Sequence, residues 1–217
     1  MTSAESETPT PPQLSPVEAR ILGSLVEKEA TTPEAYPLTA NAVQLACNQK
    51  NNREPILELE AGEVGHALRE LESRGLVHAV HGARAQRYEH RLAAVYSLTR
   101  QQQALLSVLL LRGPQTAAEL LTRCERLNGP RELDDARQQL ERLIQRGLAV
   151  NLGRGAGQRE DRYMHLLCGP VSPELVAAAA IRPASPARAS LEARVETLEA
   201  EVAELRDQVR RLLGDTD

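Results

Sequence analysis

The sequence predicts an α+β chain, mainly α with small β-wings: two tandem winged helix-turn-helix domains followed by a C-terminal coiled-coil helix. Three observations predict it. The segment Arg87-Tyr88-Glu89-His90-Arg91-Leu92 returns as Arg162-Tyr163-Met164-His165-Leu166-Leu167. Each copy follows a matching signal, Arg74-Gly75-Leu76-Val77 before the first and Arg146-Gly147-Leu148-Ala149-Val150 before the second. Echoes in the same order mark a duplicated unit: a helix that stops at a glycine, a strand, a loop and a return strand, preceded by two more helices. Third, the C-terminal stretch carries a heptad that neither copy shares.

Residues 1–14 are rich in Ser, Thr, Pro and Glu and read as a disordered tail. The first domain covers 15–98. Ser15-Pro16-Val17-Glu18 is a capping box with proline at the first helical position, and Ile21, Leu22, Leu25 and Val26 follow as an apolar stripe at helical spacing. Thr31-Thr32-Pro33 closes that helix. Thr39 caps a short second helix, and a third runs from about Glu63 to Arg74 with Gly75 as its stop. Strands over Leu76–Val80 and Gln86–His90 flank a turn at Gly82.

The second domain, 99–168, is more compact. An apolar helix spans Gln101 to Arg112 and breaks at Gly113-Pro114. Thr116-Ala117-Ala118-Glu119 is another capping box, and Leu133 to Arg146 forms the third helix, stopped by Gly147. Strands flank the glycine-rich loop Gly153-Arg154-Gly155-Ala156-Gly157. The offset between copies shrinks from 85 at the first helices to 77 at the second and 72 at the third-helix glycines, because the first copy has longer loops.

A Pro/Ala-rich linker (169–189) leads to the tail, 190–213. There Leu191, Val195, Leu198, Val202, Leu205, Val209 and Leu212 alternate gaps of four and three, with Val at each a position and Leu at each d. That choice favours a parallel two-stranded coil, and Arg194 with Glu199 and Glu201 with Arg206 would pair across it. Two arrangements stand open: a homodimer through this coil, or a helix folded back on its own body.

Composition excludes several classes. The net charge is −4, with 26 basic and 30 acidic residues, which does not suit a strongly basic nucleic-acid binder. Tyr36, Tyr88, Tyr96 and Tyr163 are the only aromatics, too few to stack a row of unpaired bases. Cys47, Cys124 and Cys168 are scattered and odd in number, as expected of reduced thiols in a cytoplasmic protein. No apolar run or signal peptide points to a membrane. His78 and His81 lie three apart on a strand, facing opposite sides, which argues against a metal pair. No phosphate loop, dinucleotide fingerprint or nucleophile elbow appears, so neither an enzyme nor a cofactor is expected.

Several longer stretches carry a resemblance. They are Leu25-Val26-Glu27-Lys28-Glu29 with Thr31-Thr32-Pro33, Tyr36-Pro37-Leu38-Thr39, and Ala46-Cys47-Asn48-Gln49-Lys50 with Asn52-Arg53-Glu54-Pro55. Leu111-Arg112-Gly113-Pro114-Gln115-Thr116 and Gly157-Gln158-Arg159-Glu160, with Arg162-Tyr163 and His165-Leu166-Leu167, extend it. The chain from Leu14 to Gly169 resembles the YceH family of bacterial proteins. The resemblance implies tandem winged helices and no particular activity; the heptad tail lies outside it.

Function must therefore come from chemistry. A winged helix usually lays its third helix in the major groove and its wing on phosphate. The third helices here are poor readers: Glu63, Glu70 and Glu72 face outward in the first, and Asp134 and Asp135 stand at the entrance of the second. Arg137 and Arg142 on the second either touch DNA or form a solvated face. The wings are better placed, with Arg84 and Arg87 in the first and Arg154 and Arg159 in the second, and the turn from Asn48 adds Lys50 and Arg53. Arg87 and Arg162, each beside the repeated tyrosine, equally suit a salt bridge to the third helix. Residues 99–168 hold eleven Arg against eight Asp and Glu, and residues 15–95 nine Lys and Arg against eleven acids, so the second copy is the more basic. Two partners follow: duplex DNA held through the wings in a regulatory role, or another protein docked on an acidic scaffold.

Overall fold

The computed structural model describes residues 13–81, 85–155, 158–174 and 176. Helix α1, Pro16–Thr31, starts at Ser15, whose hydroxyl accepts from the Glu18 N–H while the Glu18 carboxylate accepts from the Ser15 N–H. Strand β1, Leu38–Thr39, runs directly into α2, Ala40–Cys47, capped by the Thr39 hydroxyl. Helix α3, Ala61–Ser73, follows a long loop, and hairpin β2, Val77–His81, with β3, Gln86–His90, completes the first module. A one-turn helix α4, Leu92–Val95, leads to α5, Arg100–Arg112, β4, Gln115–Thr116, and α6, Ala117–Cys124. Then come α7, Leu133–Gln145, β5, Ala149–Gly153, and β6, Arg162–His165. Among the described residues the fold is thus mixed α and β, with seven α-helices and two small sheets.

The duplication is visible strand by strand. The sheets run β1-β3-β2 and β4-β6-β5, all antiparallel. Leu38 lies opposite Tyr88 as Gln115 lies opposite Tyr163, and Thr39 opposite Arg87 as Thr116 opposite Arg162. Helices α3 and α7 end alike. Gly75 and Gly147 take φ of +69° and +67°, and the next residue's N–H closes the last turn onto Leu71 O and Leu143 O, 2.9 Å in each case. The expected flap of two strands is therefore a sheet of three in each module, because a two-residue strand leaves no alternation to read. The first-helix offset, taken from the caps Ser15 and Thr99, is 84 rather than 85.

The modules do not hold separate cores. Helix α1 packs along α5, and one cluster runs from Ile21, Leu22 and Leu25 through Leu105, Leu106 and Leu109 to Leu140 and Leu143. Ser107 Oγ donates to Gly23 O at 3.1 Å across this contact. Leu14 N–H donates to Leu167 O at 2.7 Å, tying the segment before α1 to the end of the second sheet. No described helix is long and apolar enough to cross a membrane.

The paired arginines beside the tyrosines do not reach the third helices. Arg87 donates to Pro37 O at 2.7 Å, and Arg162 donates to the equivalent Pro114 O at 3.3 Å and to Glu119 at 3.2 Å. Each clamps the strand that leads into its module's second helix. The repeated histidines diverge. His90 Nδ1 accepts from the Leu92 N–H, so its proton sits on Nε2, which donates to Glu29 at 2.9 Å. His165 is buried with Nδ1 unpartnered, and burial alone lowers its pKa to about 4. Glu29 is fourteen residues past its cap; the same count from Thr99 reaches Gly113, where α5 has already stopped.

Candidate nucleic-acid interface

The second module gathers three of the arginines singled out from the sequence. Arg137, Arg154 and Arg159 line one solvent-open recess of about 180 Å³, together with Ala117, Glu160, Asp161 and Tyr163. The local sequence explains the convergence. On α7, Ala136, Leu140 and Leu143 turn into the core, which leaves Arg137 on the outer face one turn from the helix start. Gly153, at φ +74°, turns the chain out of β5 into Arg154, and Arg159 stands near the other end of the same loop. Tyr163, in mid-strand on β6, is half-buried, which raises its pKa.

The cations are partly matched. Arg137 meets Asp134 at 3.2 Å, one turn away on α7, and Arg154 Nε meets Asp161 at 3.4 Å across the loop. Three of the four side chains are exposed and Asp161 is half-exposed, so each pair contributes at most ~1 kcal/mol of stability. No described residue pairs with Arg159. Arg142 is also exposed on α7 but lies outside the recess lining.

Among the described residues, the first module brings no such trio of arginines together. Aligned at Gly75 and Gly147, α3 places Gly65 where α7 has Arg137, and Glu70 where it has Arg142. Arg87 is exposed but spends a guanidinium nitrogen on the carbonyls of Ala35 and Pro37. Lys50 is exposed, on the loop after α2 and apart from the recess. Arg84 and the heptad residues Leu191, Val195, Leu198, Val202, Leu205, Val209 and Leu212 lie outside the described residues.

Arg53 requires a correction. Its side chain is 0 % exposed: Nε donates to Ala46 O at 3.0 Å, and both terminal nitrogens engage Glu27, at 3.1 and 2.5 Å. A guanidinium enclosed in this way cannot reach a phosphate. The surrounding turn is spent as well, since the Asn48 side chain bonds the Leu59 backbone and Gln49 accepts from Arg53. Arg20, buried beside it, donates to Cys47 O and Pro55 O and joins the end of α2 to the loop. Glu160 and Asp161, which follow Arg159 in the second wing, share the recess lining with Tyr163, whereas Arg162 between them is itself buried.

Residues 14–158 match the model of a family described as a protein of unknown function, DUF480. UPF0502 proteins match nearly end to end. One from Xanthomonas campestris pv. campestris (strain B100) is 55 % identical over 217 residues, covering 98 % of both chains. One from Xanthomonas axonopodis pv. citri (strain 306) is 56 % identical with the same coverage. The chain belongs to this family. A UPF0502 protein of Stenotrophomonas maltophilia (strain K279a), 56 % identical over 215 residues, covers 96 % of this chain and 98 % of its own. The DUF480 match runs from the start of α1 into the β5–β6 loop, so it takes in the first module and the second as far as β5, stopping before β6.

Proposed function

We propose that the chain is a tandem winged-helix protein that binds duplex DNA in a regulatory role, and that its second module makes the contact. The convergence of Arg137, Arg154 and Arg159 between α7 and the β5–β6 loop carries this reading. Their position between a third helix and the loop that follows it supports the reading, since those are the elements with which a winged helix meets the nucleic-acid backbone. The guanidinium fork matches phosphate oxygens two at a time. Asp134 and Asp135, at the start of α7, repel phosphate and push the contact toward the wing. Contacts of this kind fix register without reading bases. The likeness to the YceH family agrees with the winged-helix assignment.

The test is a titration of the full chain with random-sequence duplex at two salt concentrations, repeated with the triple variant Arg137→Ala, Arg154→Ala, Arg159→Ala. The expected result is submicromolar binding at the lower salt that weakens steeply at the higher. The triple variant should lose more than about tenfold, with a log–log salt slope shallower by ~0.9 for each phosphate contact removed. No binding by the wild-type chain at the lower salt would reject the reading. A protein-docking role would then lead, since the first module exposes 64 % of Leu45 and 58 % of Ile56 and carries the acidic α3. We propose further that the heptad tail pairs two protomers. Leu198→Pro should reduce the solution mass to that of a monomer, and an unchanged mass would reject the pairing.

A further inference from the structure

Asp161 differs from the other carboxylates near the recess in how firmly it is placed. Its Oδ2 accepts from Asn151 Nδ2 at 3.2 Å, and its Oδ1 faces Arg154 Nε at 3.4 Å. Asn151 is itself fixed, because its Oδ1 accepts from the Gly153 N–H at 2.8 Å, where the β5–β6 pairing slips by a residue. The carboxylate is thus anchored from β5 and set against a guanidinium that lines the recess. Asp134, opposite Arg137, is 93 % exposed and has no comparable anchor.

We propose that Asp161 is a built-in competitor for the anion, occupying the side of Arg154 that a phosphate oxygen would otherwise take. This rests on the DNA-binding reading of the same recess. The lining holds three guanidinium groups against the carboxylates of Glu160 and Asp161, so its surplus is a single positive charge. An isolated anion entering there gains little, because it meets a fixed like charge. A polyanion that presents several phosphates at once, to Arg137 and Arg159 as well as Arg154, gains enough to displace the Arg154–Asp161 contact. Asp161 therefore sets affinity and restricts the site to ligands of high charge density, duplex nucleic acid in preference to free phosphate.

The opposing possibility, that Asp161 merely props the wing, predicts the reverse sign. The experiment titrates Asp161→Asn, Asp161→Ala and the wild-type full chain with random-sequence duplex across a salt series, with inorganic phosphate as a competing probe. Asp161 is half-exposed, its side chain 41 % accessible, so circular dichroism should be unchanged and the thermal midpoint should move little, and both serve as the folding control. Both variants should bind duplex roughly 3- to 10-fold tighter at equal salt. Their salt slope should steepen by up to ~0.9 as Arg154 becomes free to neutralise a phosphate. Millimolar phosphate should compete against the variants and not against the wild type. If the wild type binds and both variants bind equally or more weakly, the competitor role is overturned and the DNA reading survives. If neither the wild type nor the variants bind at the lowest salt, both fall together.

Discussion

Gly23 on α1 and Leu111 on α5 leave no room for a methyl group between them. A Cβ at Gly23 would stand 2.9 Å from Leu111 Cγ and 3.1 Å from Leu110 Cβ. Both leucines are buried and α5 is packed on every side, so neither can retreat cheaply. Gly23→Ala should therefore destabilise the chain by ~1–3 kcal/mol despite the better helix propensity of alanine. Urea unfolding should show a single transition at a lower midpoint with an unchanged slope, because the contact belongs to both modules at once. A biphasic curve, with one module surviving, would contradict the shared core.

Arg53 offers a second test, since its surface reading and its buried position predict different losses. Arg53→Ala strands the Glu27 carboxylate and leaves Ala46 O without the Nε donor. Removing one partner of a buried pair costs ~3–5 kcal/mol. Denaturant unfolding should report that loss, while the duplex affinity of the folded fraction should stay at the wild-type value. A stable variant with weakened binding would return Arg53 to the surface.

The equivalent arginines Arg87 and Arg162 separate by burial. Arg162 is 4 % exposed and joins Glu119, Gln158 and Pro114 O, whereas Arg87 is exposed and, among the described residues, joins the carbonyl oxygens of Ala35 and Pro37. Arg162→Ala should cost ~2–4 kcal/mol and Arg87→Ala less than about 1 kcal/mol, read as shifts of the urea midpoint. Equal costs would mean that the two clamps are energetically alike in spite of their surroundings.

His165 predicts a pH dependence whose sign is fixed by its burial. The folded imidazole titrates near 4, below the ordinary value of about 6.5. Between those two values the unfolded chain takes up a proton that the folded chain refuses. The contribution is intact above pH ~6.5 and is lost as the pH falls toward 4, in total about 3 kcal/mol. Stability measured from pH 7 to pH 4 should fall less steeply in His165→Gln than in the wild type. Parallel curves would show that the imidazole has a proton-accepting partner in solution.

The legible parts of this fold are those written in local chemistry. Ser15 with Glu18 and Thr116 with Glu119 are capping boxes in sequence and in space, and Gly75 and Gly147 stop their helices in the left-handed conformation expected of them. Strands β1 and β4 were hidden because two residues have no period. The α1–α5 contact left a trace that is easy to pass over: Leu105, Leu106 and Val108 through Leu111 are all buried, more than one helix face can hold, and such a helix needs neighbours on two sides. Arg53 could not be placed from its own surroundings, because its burial depends on Glu27, twenty-six residues upstream. The recess was half legible. Its arginines stood out as loop and helix cations, but the loop acids that share it became relevant only once β5 and β6 had paired.

The bond from the Leu14 amide to the Leu167 carbonyl brings the start of the first module beside the finish of the second. A short glycine linker could join them and turn the two modules into a closed ring, which could then be cut afresh after Leu98, where one module hands over to the next. Such a circular permutant would begin at Thr99 and translate the repeats in reverse order while keeping the α1–α5 seam, so the fold predicts that either half can be made first.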